Sequence, residues 1–268
     1  VTERPLAIRR APMLRGWRWV TRSIEIFGRA AMVWIGLNLV LLFIASALMM
    51  IPVVGGLLFA LLTPVFAGGL TLGCRDLDAG HPLLPKHLFA GFQANAGALV
   101  TIGGVYVVGQ IAIFGLLTVI GGPELQSIMH AAVVSQEPDN APATVSDRAL
   151  AAVIVAGALL VPLAMSVWFA PVLAVLHRLP ALQALRFSLQ ASLRNLPAMT
   201  VYAFAMGALL AGLLFIARTL IGLLPTSLSA MGEPIAMIAM TLWVSLTLIS
   251  AYTGYRDIFV TEDPATPY

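Results

Sequence analysis

The residues best equipped for chemistry in this chain stand close together: Asp76, Asp78, His81 and His87 in one short polar stretch, with another imidazole at His177. Carboxylates and imidazoles in such number can hold a divalent metal or relay a proton. Their spacing fits no ligand motif, however, and a solvated connection between two apolar runs carries such residues in any case. A P-loop, an HExxH pair, a Gly-x-Ser-x-Gly elbow and a Rossmann fingerprint are all missing. Catalysis here requires His81, His87 and His177 to converge with Asp76 or Asp78. Without that convergence the expectation is no catalytic residue, no metal site, no cofactor and no enzyme activity. The single cysteine, Cys74, excludes an internal disulfide and reads as a small packing residue rather than a reactive thiol.

Polar residues inside apolar runs form the second set of candidates: Asn38, Gln110, Thr63, Thr118 and Ser166, with Pro64, Pro162 and Pro171. Buried amides between membrane helices contribute roughly 0.6–2 kcal/mol to association. The other reading is a polar pathway, in which each proline frees a carbonyl and kinks its helix. Asn38, Gln110, Pro162 and Pro171 are therefore candidates for a pathway or for helix packing. Ionisable groups at depth are nearly missing. Arg218 and Glu233 stand close to span ends, where they can anchor at the outer interface and pair across the turn at Pro225. Small residues mark packing faces at Gly69 and Gly73, and along Ala203, Gly207 and Ala211. Gly103, Gly104, Gly109 and Gly115 thin a third run. The helix that meets each face lies either in this chain or in another copy, so a homo-oligomer stays open.

The elements that must position these residues follow from composition. Of 268 residues, 60% are apolar and 10% charged, where a soluble domain has about 25% charged residues. The fold class predicted is an all-α polytopic membrane bundle of about six spans of ~20 residues. The spans fall near 31–51, 53–73, 96–121, 150–176, 197–220 and 234–255, within a membrane domain over 30–260. A basic segment over 1–29 precedes them, a polar loop over 122–148 separates spans three and four, and a tail over 261–268 closes the chain. A short helix near 124–134 fits within that loop. The first thirty residues carry seven arginines and no early apolar run, which argues against a cleavable signal peptide.

Arg15, Arg18, Arg22, Glu25 and Arg29 recur at helical spacing and place one charged stripe on a helix from Leu14 to Arg29. Leu14, Trp17, Val20, Ile24 and Phe27 are expected to form its apolar face. Such a helix either lies in the interface, with Arg15, Trp17, Arg18, Arg22 and Arg29 meeting anionic headgroups, or packs on the protein's own cytosolic surface. A second amphipathic helix starts at Pro180 and is expected to bury Leu182, Leu185, Leu189 and Leu193. With the N-terminus inside, thirteen of the fifteen basic residues are cytosolic; Arg148 and Arg218 are the two outside. The positive-inside rule then puts both termini in the cytosol and the loop over 122–148 in the periplasm. Nucleic-acid binding has no support, since the basic residues hug the membrane boundary.

The chain also repeats itself. Three units begin near Arg15, Pro82 and Pro180, each a surface helix followed by two spans out and back. Their junctions read Gly28-Arg29-Ala30, Ala94-Asn95-Ala96 and Arg194-Asn195-Leu196, with a polar residue placed to cap or snorkel.

Gly16-Trp17-Arg18-Trp19 leading through Phe27, Phe169-Ala170-Pro171, Ala184-Leu185, Ser188 to Arg194-Asn195, and the closing Tyr252 to Tyr255-Arg256-Asp257-Ile258-Phe259 carry a resemblance. On these motifs the chain resembles a family of uncharacterised proteobacterial six-span inner-membrane proteins, over nearly its whole length. More distantly its plan is similar to the membrane domain found beside some glycerophosphodiester phosphodiesterases, whose catalytic motif is missing here. The resemblance implies architecture and an inner-membrane location. Together these readings predict a non-enzymatic membrane protein that organises helices, lipids or partners, with a transporter or channel for a small neutral or lipidic substrate as the alternative.

Overall fold

The computed structural model describes residues 6–52, 54–134, 146–225, 228 and 231–259, with side chains of the fourth element described as far as Pro123. Every regular element among them is helical. α1 (Arg15–Arg29) leads into α2 (Ala31–Met49), and α3 (Val54–Asp78) returns. A 3-10 turn over Pro85–Phe89 opens α4 (Ala90–Val134). α5 (Asp147–Trp168) and α6 (Ala170–Leu176) together make the fourth crossing, and α7 (Ala181–Arg194), α8 (Leu196–Gly222) and α9 (Gly232–Ile258) complete the chain. Six stretches among the described residues are long and apolar enough to cross a bilayer. With every backbone bond made within its own segment, helices meet the requirement that hydrocarbon imposes. The chain is an all-α polytopic bundle.

The three units share one joint. Ala30 (φ −147°, ψ 40°), Asn95 (φ −162°, ψ 56°) and Asn195 (φ −113°, ψ 25°) each interrupt the helix for a single residue where a surface element turns into a span. Each surface element lies against the returning span of the unit before it: α1 on α9, residues 85–94 on α3, and α7 on α5. Small residues allow that approach. A Cβ on Gly16 would strike the Ala198 carbonyl and the Tyr202 N–H of α8, and one on Gly91 would strike the Val65 carbonyl of α3. The N-terminal segment closes the ring. Arg9 N–H donates to the Ile258 carbonyl at 2.9 Å, so the two ends of the described chain share one face.

Several expectations need correction. Asn95 neither caps nor snorkels, whereas Asn195 does cap α7, its amide donating to the Ala191 carbonyl of the last turn at 2.9 Å. The Asn95 amide donates to the carbonyls of Ala174 (3.0 Å) and Leu179 (3.2 Å). Asn195, almost wholly buried, accepts from Ala11 N–H at 2.7 Å and donates to the Arg9 carbonyl at 3.0 Å. Asn95 thus braces the turn that follows α6, and Asn195 braces the N-terminal segment that precedes α1. The third span does run between Asn95 and a second break at Gly122, whose φ of 66° suits glycine. Arg148 caps its last turn, donating to the Ile120 carbonyl at 2.5 Å. Helix then continues to Val134, where a short helix was expected. Residues 135–145, with Glu137 and Asp139, and the tail over 261–268 lie outside the described residues. α3 extends to Asp78, so Arg75, Asp76 and Asp78 sit on a helix end, not in a loop. Of the two prolines expected to kink the fourth crossing, Pro171 stands beside the break at Phe169, while α5 continues through Pro162.

Candidate functional site

The polar face of the bundle is where the titratable residues meet. α1 has three faces rather than two. Gly16, Trp19, Val20, Ser23 and Ile26 pack inward. The charged stripe occupies a second side, and Leu14, Trp17 and Ile24 are exposed on a third. At 3.6 residues per turn these stripes lie roughly 120° apart. The expected apolar face was thus split, because small residues and the second tryptophan, not Trp17, make the close contact. α7 repeats the correction: Ala184, Leu185, Ser188, Ala191 and Ser192 are buried while Leu182 and Leu193 are exposed. Against hydrocarbon there is no premium on hiding leucine, and small residues win the interface.

The arginines of α1 are tied to acids at the ends of two spans. Arg15 pairs with Asp257 at 3.0 Å, and Trp19 Nε1–H donates to the same carboxylate at 3.0 Å. Arg22 reaches Asp78 at 3.5 Å, where Arg256 forms a second ion pair and the Tyr252 hydroxyl donates at 3.3 Å. Arg29 donates to the Leu77 carbonyl at 3.5 Å. Arg18 makes no ion pair with a described residue. Three of the four arginines expected to meet headgroups therefore also hold α1 to the bundle.

The candidate metal cluster does not assemble. His87 is buried; its Nδ1 accepts from Leu84 N–H at 3.0 Å, which leaves Nε2–H to donate to Asp76 at 3.1 Å. Asp78 is committed to arginines, His81 is exposed, and His177 Nε2 lies 2.6 Å from the Tyr255 hydroxyl. Burial pulls the His177 imidazole below its ordinary range. Among the described residues no three of His, Cys, Asp or Glu group as metal ligands.

The membrane-depth candidates separate in the same way. Asn38 donates to the Trp34 carbonyl at 2.9 Å and to Ser245 Oγ at 2.7 Å, clamping α2 to α9. Gln110 donates to Tyr106 on its own helix at 3.1 Å. Pro162 lies within α5, and Pro171 starts α6 at the break. The groups freed there are satisfied by residues the sequence reading missed. The Ser188 hydroxyl accepts from Phe169 N–H at 2.9 Å and donates to the Met165 carbonyl at 2.7 Å, inserting itself into the helix ladder. Ser192 adds a bond to that carbonyl at 3.3 Å. The signal was present as Ala184, Ser188, Ala191 and Ser192, a stripe of small residues at helical spacing. Arg218 and Glu233 form no ion pair with each other.

Gly69 and Gly73 pack against residues 83–91, and Gly109 against Leu163. The stripe Ala203, Gly207 and Ala211 is exposed, and no helix among the described residues covers it. It lines an apolar groove of about 810 Å³ between α5 and α8, together with Val161, Met165 and Trp168. A smaller cleft of about 320 Å³ separates α2, α3 and α9 beside Asn38 and Thr63.

Around the polar face each surface element turns large apolar residues outward beside basic ones. Leu14, Trp17 and Ile24 accompany Arg18; Leu84, Phe89 and Phe92 accompany Lys86; Leu182 and Leu193 accompany Arg186 and Arg194. Compared with known proteins, the chain is similar to a probable inner membrane protein of Burkholderia thailandensis, 32% identical over 256 residues that cover 94% of this chain and 93% of that one. No family model and no solved structure matches it.

Proposed function

This chain belongs to the family of the Burkholderia thailandensis probable inner membrane protein, and from that premise we propose a non-enzymatic role in organising lipid at the cytosolic leaflet. The family and the six apolar crossings make it a multi-pass inner-membrane protein. The observation that carries the rest is the collar: three surface elements, each with exposed large apolar residues flanked by exposed arginine or lysine. Aromatic and aliphatic side chains enter the acyl boundary while guanidinium and ammonium groups meet anionic phosphate. The arginine-rich face is then cytosolic, with both termini on that side. The pairing of Asp78, Asp257, Asp76, His87 and His177 within the fold supports a structural use for these groups rather than catalysis.

The test is thermal unfolding in nanodiscs of phosphatidylglycerol and of phosphatidylcholine. At about 1 kcal/mol per basic residue near an anionic surface, the first lipid raises the unfolding midpoint. The combined Arg18→Gln, Lys86→Gln and Arg186→Gln variant loses most of that rise. Equal midpoints in both lipids overturn the reading. Transport of a lipidic substrate is the second reading, favoured by the groove between α5 and α8; phospholipid scrambling by reconstituted protein above protein-free vesicles decides for it.

A further inference from the structure

We propose that the groove between α5 and α8 is a binding site for one phospholipid, its acyl chain held between the two spans and its anionic headgroup at Arg194. The three-unit plan defines the vacancy. The outgoing span of each unit has a place between its own returning span and that of the unit before. α2 contacts α3 and α9, and α4 contacts α3 and α5, but α8 packs on α9 and splays from α5. The opening has about 810 Å³, within the usual range of small-molecule pockets.

The chemistry of the groove changes along its length. Val161, Ala203, Gly207 and Ala211 line the deeper part, where only hydrocarbon is compatible. Trp168 and Thr200 line it near the surface-helix end. Trp168 Nε1–H bonds to no described residue, and the Thr200 hydroxyl, which donates to Leu196, keeps its lone pairs open. Both suit the ester region of a phospholipid. Exposed Arg194 stands at the junction two residues before Leu196, the first groove residue of α8. Its guanidinium matches a phosphate. A second copy fits less well, because an isologous dimer sets the same patch against itself and two concave grooves leave a void.

The proposal deepens the lipid reading above, yet its test fails separately. Protein purified in mild detergent is examined by native mass spectrometry, delipidated, and titrated with phosphatidylglycerol and phosphatidylethanolamine. One retained phospholipid per chain is expected. Gly207→Phe and Ala211→Phe remove it, whereas Gly115→Phe, a glycine open to lipid on α4, leaves it in place. Arg194→Gln weakens phosphatidylglycerol about fivefold, by loss of about 1 kcal/mol, and weakens phosphatidylethanolamine less, because its own ammonium already offsets the phosphate charge. The Arg18→Gln and Arg186→Gln variants keep the retained lipid even if the collar preference disappears. Retention by both filled-groove variants at the wild-type level overturns the proposal, as does a wild-type dimer that either variant converts to a monomer.

Discussion

Replacing Ser188 by alanine removes the hydroxyl that bridges the break between α5 and α6. Phe169 N–H, at a site of zero exposure, then keeps only its contact with the Val167 carbonyl two residues back. An orphaned buried donor costs about 1–3 kcal/mol, and the poorly placed Val167 contact sets the loss toward the lower end, about 1 kcal/mol. The Met165 carbonyl is less affected, since Ser192 still donates to it at 3.3 Å. Ser192→Ala, conversely, removes the longer of two bonds to one acceptor, and its cost is about 0.5 kcal/mol or less. The double variant also strips the Met165 carbonyl of both hydroxyls, so it costs more than the sum of the singles. Unfolding in mixed micelles titrated with dodecyl sulfate measures all three. Equal costs for the two single variants, or a Ser188→Ala variant as stable as wild type because the helix simply straightens, refute the reasoning.

Other expectations follow from the same geometry. Asp78→Asn weakens the hold on Arg22 and Arg256, and because both arginines are about half exposed the loss is ~1 kcal/mol; faster proteolysis within α1 reports it. Gly91→Ala drives a Cβ into the Val65 carbonyl and costs about 1–3 kcal/mol by overpacking, read as a lowered thermal midpoint. His177, held neutral by burial, makes the fold less stable as pH falls below about 6.5. The unfolded chain takes the proton first, and the loss grows until the folded imidazole titrates too; His177→Asn flattens that part of the stability profile.

How far the structure was legible differs from residue to residue. The charge-free runs specified the spans, because hydrocarbon admits little else, and the junctions at Asn95 and Asn195 were visible as lone polar residues between helix and span. What those amides do was not visible, since their partners at Ala174 and Arg9 are remote in sequence. The inward faces of α1 and α7 were misread for a physical reason. Expecting large apolar residues inside is a rule for water, and here Trp17 and Leu182 face outward while Gly16 and Ser188 pack. The groove between α5 and α8 depends on two spans failing to meet. A stripe such as Ala203, Gly207 and Ala211 reads the same whether or not a helix covers it.

The collar is tested most directly by measuring the depth of single nitroxide labels in a Cys74→Ala background reconstituted in anionic bilayers. Labels at Trp17, Phe92 and Leu182 should collide with dissolved oxygen and be shielded from an aqueous nickel chelate, while labels at Arg18, Lys86 and Arg186 show the reverse. If the first three are as open to the chelate as the second three, the surface helices stand clear of the membrane and the lipid-organising role is wrong.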